Sequence, residues 1–199
     1  MPSALPKLLA RAAILPLGLP IATPAWAHPG HEAGGLAQGF LHPLGGLDHV
    51  LAMVAVGLIA ARIGGRALLL VPASFLGMMA VGGAAGAAGS SLPYVETGIA
   101  LSVVVLGAVL ALGAVPPVAG AMALVGAFAV FHGFAHGAEM PGVASGLAYG
   151  LGFLAATALL HAAGLGLGLA ARRLDARPVW RVAGAGLAAA GLGLLSGAF

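Results

Sequence analysis

Residues 118–138 read VAGAMALVGAFAVFHGFAHGA, twenty-one positions without a Lys, Arg, Asp or Glu. At 1.5 Å per residue, a helix of that length spans about 30 Å, the thickness of a bilayer's hydrocarbon core. The two polar side chains in it, His132 and His136, sit near one end. This stretch therefore predicts a helix built for lipid that carries ionisable groups into it.

Similar blocks extend on both sides. Breaks at 62–66, 89–93, 114–117, 139–142 and 172–181, marked by Arg, Gly and Pro, delimit spans near 38–61, 67–88, 94–113, 118–138, 143–171 and 182–198. The fold class expected is all-α, a polytopic membrane protein with a six-helix transmembrane bundle. Composition agrees: of 199 residues, 61% are hydrophobic and 7% charged, with a mean hydropathy of +1.09, where a soluble domain carries about 25% charge. Eight basic and five acidic residues cannot build the basic stripe that nucleic-acid binding needs. With no cysteine, disulfides, thiolate nucleophiles and Cys-type metal sites are excluded.

The first 27 residues read as a cleaved signal peptide. Lys7 and Arg11 precede an apolar run at 12–21, and Ala25-Trp26-Ala27 supplies small residues at an A-x-A site. The domain division expected is then 1–27 as leader and 28–199 as membrane domain, with the mature N-terminus outside the cytoplasm. The six remaining arginines, Arg62, Arg66, Arg172, Arg173, Arg177 and Arg181, fall in two loops on one side of an alternating topology. The positive-inside rule makes that side cytoplasmic. Both signals predict a multi-pass protein of the bacterial cytoplasmic (inner) membrane with its termini outside. Glycines spaced by four at 82/86, 133/137, 142/146/150, 164/168 and 193/197 predict close helix packing.

Ionisable side chains cost at least about 2.5 kcal/mol each at the centre of a bilayer and persist mainly where they line a site. His132, His136 and Glu139 stand at i, i+4 and i+7, hence on one helix face. The first span carries His42-Pro43-Leu44-Gly45-Gly46-Leu47-Asp48-His49, followed by Met53. Pro43 beside two glycines predicts a broken turn that lets His42 and Asp48 converge. Imidazoles with carboxylates suit Zn, Ni, Co or Fe(II), and Asp48 also fits the role of accepting the free N–H of a ligating imidazole. In the predicted orientation His42, Asp48, His49, His132, His136 and Glu139 all lie toward the outer surface, as does Glu96. His161 alone sits deeper. His28 and His31 at the mature N-terminus, Met53, Glu96 and His161 complete the candidates for capture or path.

These residues resemble the HupE/UreJ family, small membrane proteins associated with nickel hydrogenase and urease operons. The resemblance rests on the motif from His42 to His49, continued through Met53 to Val56-Gly57, and on His132-Gly133, His136-Gly137 and Glu139. It implies a secondary transporter that imports nickel, or cobalt, without an ATPase subunit, for metalloenzyme assembly. The metal would be substrate, with no permanently bound cofactor. A looser similarity to the larger nickel/cobalt permeases differs by one residue in the interval from His42 to Asp48. Two other readings of the residues are an intramembrane zinc hydrolase, which lacks a His-Glu-x-x-His motif, and a haem carrier with paired axial histidines.

Overall fold

The computed structural model describes residues 33–140, 146–173 and 177–198. The leader and His28 and His31 lie outside those residues. The described chain is all-helical: α1 (Ala33–Leu41), a 3-10 turn (His42–Leu44), α2 (Leu47–Ile63), α3 (Ala67–Ala87), α4 (Val95–Ala111), α5 (Val118–Ala138), α6 (Gly146–Arg173) and α7 (Arg177–Ser196). Four helices, Ala67–Ala87, Val118–Ala138, Gly146–Arg173 and Pro178–Ser196, are long and apolar enough to cross a membrane. The bent pair α1–α2 makes a fifth if it forms one span, while α4 is shorter, at 17 residues. The chain is thus a multi-pass membrane protein by its helices.

The block at 38–61 breaks at the turn expected beside Pro43, into two helices, Gly35–Leu44 and Leu47–Ile63, set 81° apart. Proline cannot donate a backbone hydrogen bond, so after Pro43 the chain tightens into a 3-10 turn closed by Gly45 N–H to the His42 carbonyl at 3.0 Å. Gly46 then adopts an extended conformation and opens α2. The last helix was expected from 182 but starts at Arg177, so Arg177 and Arg181 belong to it, as Arg172 and Arg173 belong to α6. Arginine is a good helix former, which is why charge alone misplaced that end.

α2 is the central helix. Its residues from Ala52 to Ala61 are buried except Val54, which is partly buried, as expected of a helix wrapped by neighbours. α6 packs along α2, α3 along α5, and α4 along α7. Small residues set these approaches. A Cβ at Gly133 of α5 would fall on the Met79 carbonyl of α3, and a Cβ at Gly57 of α2 on the His161 carbonyl of α6. Gly150 and Gly197 face open space instead, so helical spacing of glycine overstated their part in packing.

Candidate metal site

Antiparallel packing brings the bend before α2, the end of α5 and the start of α6 to one end of the bundle. There His42 Nε2 lies 2.9 Å from His136 Nδ1 and 3.4 Å from Glu139 Oε2, and His136 Nδ1 lies 3.9 Å from the same oxygen. One ligand atom from each of these three residues falls within 4.8 Å of the others. Ligands at about 2.1 Å from a metal ion, at tetrahedral or octahedral angles, stand roughly 3.0–3.4 Å apart. The trio is within a few tenths of an ångström of holding one ion, with coordination positions left over for water.

Exposure falls inward from this mouth. The Glu139 and His42 side chains are 60% and 38% exposed, and His136 is 16% exposed. His49 and His132 are buried at 1% and 0%. The His49 ring centroid lies 5.1 Å from that of His136 and 5.3 Å from that of His132. Four imidazoles from three elements thus form a file from the surface into the bundle.

Hydroxyl groups fix the two buried rings. Thr157 Oγ1 donates to the Phe153 carbonyl at 2.9 Å and stands 3.2 Å from His49 Nε2. Ser102 Oγ donates to the Ile99 carbonyl at 2.6 Å and stands 2.9 Å from His132 Nε2. Each hydroxyl thus occupies the Nε2 side of its ring. The Nδ1 atoms of both rings are buried without a hydrogen-bond partner. An imidazole held at one nitrogen and open at the other is the usual arrangement of a metal ligand.

The other expected residues are placed as follows. Asp48 does not join the mouth trio; its Oδ1 accepts the backbone N–H of His49 at 2.6 Å. It stands in the first turn of α2, where a carboxylate suits the helix dipole. Gly46 makes room for it, since a Cβ there would come within 2.8 Å of Asp48 Oδ1. Met53 is fully buried in the core cluster. Glu96 is exposed in the first turn of α4. His161 is 2% exposed, with neither ring nitrogen partnered, and its ring centroid lies 5.2 Å from that of Phe75.

Sequence reading missed Tyr149, Phe153 and Thr157, which frame the file; with His161, already a candidate, they stand four apart on α6 and all four are buried. Phe153 lies against His49 and His136, with centroids at 5.1 and 4.5 Å. That four-residue stripe ending in a histidine was the available signal. Ser102, by contrast, is a lone hydroxyl in an apolar helix, with no pattern to single it out.

The chain matches the family model for the HupE / UreJ protein over residues 16–194. It is 45% identical over 175 residues to Protein HupE of Rhizobium leguminosarum bv. viciae, covering 87% of this chain and 91% of that protein. No solved structure matches it.

Proposed function

This chain belongs to the HupE/UreJ family, and we propose that it is a permease that imports nickel, with cobalt as the competing ion, across the bacterial cytoplasmic membrane to supply metalloenzyme assembly such as that of hydrogenase or urease. It acts as a transporter and not as an enzyme. The hydrated cation arrives at His42, His136 and Glu139 and exchanges part of its water for two imidazoles and a carboxylate. It then moves to the Nδ1 atoms of His49 and His132, with Asp48 holding the start of α2 in place. His161, deeper in the bundle, receives the ion on the way inward, while His28, His31 and Glu96 serve capture outside.

The observation that carries this reading is the continuity of imidazoles from exposed to buried, each buried one having a ring nitrogen without a hydrogen-bond partner. A conducting path needs ligands strong enough to select and weak enough to release. Neutral imidazoles handed on one or two at a time meet that requirement better than a closed four-ligand cage, which is the mark of a structural site. No feature of the described residues favours the zinc hydrolase.

The test is the metal content of cells with and without the protein, by elemental analysis at controlled nickel, cobalt and zinc. Nickel or cobalt should rise with the protein while zinc stays level. Equal contents in both strains would remove the proposal.

A further inference from the structure

The arginines gather at the other end of the bundle. α2 ends at Ile63, α4 at Ala111 and α6 at Arg173, and α7 begins at Arg177. Between these ends lies a cavity of about 640 Å³ walled by Arg62, Arg172, Arg181, Trp180, Leu112 and Pro178.

Two of the three guanidinium groups are held in place by helix-end carbonyls. Arg62 Nη2 donates to Gly113 O at 2.8 Å, and its guanidinium lies 5.6 Å from the centre of the Trp180 ring. Arg172 Nη1 donates to Ala61 O at 2.8 Å. Among the described residues each thereby uses a single donor of the five a guanidinium carries, and Arg62 Nε is buried with no partner there. Arg181 stands exposed at the rim.

No carboxylate of the described residues answers this charge. Asp48 and Glu96 lie in the first turns of α2 and α4, and Glu139 caps the end of α5, all at the opposite end. Asp175, in the segment joining α6 to α7, lies outside the described residues. Three like charges around a partly enclosed space repel one another unless an anion joins them. Topology alone does not require it, because the exposed Arg66 and Arg173 already mark this side as positive.

We propose that this cavity binds a phosphate-bearing anion. Guanidinium forks match phosphate oxygens in pairs, and Leu112, Pro178 and Trp180 give an apolar wall beside them. The anion has two sources, the headgroup of an anionic lipid at the membrane interface and a free phosphate compound in solution.

The experiment uses the full chain with Trp26→Phe, so that Trp180 is its one tryptophan. Native mass spectrometry with phosphatidylglycerol and phosphatidylcholine reads lipid retention, and Trp180 fluorescence reads a titration with inorganic phosphate. Selective retention of phosphatidylglycerol, weakened about fivefold in Arg181→Gln, identifies the lipid source. A saturable fluorescence change with inorganic phosphate, weakened likewise, identifies the soluble one. Arg181 makes no hydrogen bond to the described residues that its loss would break, and a gel-filtration profile like the parent's checks that the variant folds. The proposal is overturned if neither probe binds selectively or if Arg181→Gln binds as the parent does. It is also overturned if binding arises only after Asp175→Asn, which would make that acid the arginines' partner.

Discussion

His42 and His136 meet ring to ring, Nε2 of the first 2.9 Å from Nδ1 of the second, although 94 residues separate them. Two ring nitrogens at that distance share one proton, and a metal ion can take its place. The contact exists because the chain bends by 81° before α2, which carries His42 over the end of α5 instead of along α2.

Metal and proton compete for the same lone pairs. Imidazole ligates as the neutral base, so binding releases protons and strengthens as pH rises. Nickel affinity, measured by calorimetric titration of the purified protein at stepped pH, should weaken as the solution is acidified. Affinity that is unchanged or strengthened by acidification would contradict an imidazole site.

Ser102 and Thr157 hold Nε2 of His132 and His49, whose Nδ1 atoms have no hydrogen-bond partner. Ser102→Ala and Thr157→Val should each cost only about 0.6 kcal/mol of stability, the average for a hydrogen bond between membrane helices. Uptake, however, should fall at least about tenfold, the effect of losing a group that orients a ligand. Thermal unfolding in detergent beside an uptake assay separates the two; unfolding without a specific transport loss would make the hydroxyls structural only.

Gly133 lets α5 lie against the α3 backbone one residue after His132. In Gly133→Leu the new side chain meets the Met79 carbonyl and Gly83 nitrogen, so the helices must part. A marked fall in melting temperature and a loss of monodisperse protein on gel filtration are expected. A Gly150→Leu control, at a position with no neighbour within 4 Å of an added Cβ, should behave as the parent.

Orientation is testable because the chain has no cysteine. Ser91 and Ala114 are exposed in the connections α3–α4 and α4–α5. In intact spheroplasts, Ser91→Cys should react with a membrane-impermeant maleimide and Ala114→Cys should not. The reverse labelling would turn the metal mouth toward the cytoplasm.

The helical, membrane-borne character was legible because lipid imposes a length and an apolarity that composition displays directly. His132, His136 and Glu139 were legible as a face because helical spacing alone places them together. Which partner they meet was not: the position of His42 depends on the bend at Pro43 to Gly46, and a turn angle is set by packing against α6, a long-range contact. The contact of Asp48 Oδ1 with the His49 backbone N–H was not legible for a related reason, since it depends on the extended conformation of Gly46. The reach of α7 back to Arg177 was hidden because arginine reads as loop in a hydropathy profile while being a good helix former.

The central claim is that His42, His136 and Glu139 admit nickel to a path through the bundle, and reconstituted protein tests it most directly. In proteoliposomes, the wild-type chain should accumulate radioactive nickel above protein-free vesicles. His42→Ala, His136→Ala and Glu139→Gln, incorporated to the same level, should each reduce the initial rate at least about tenfold. Accumulation by all three variants at the wild-type rate would contradict the account.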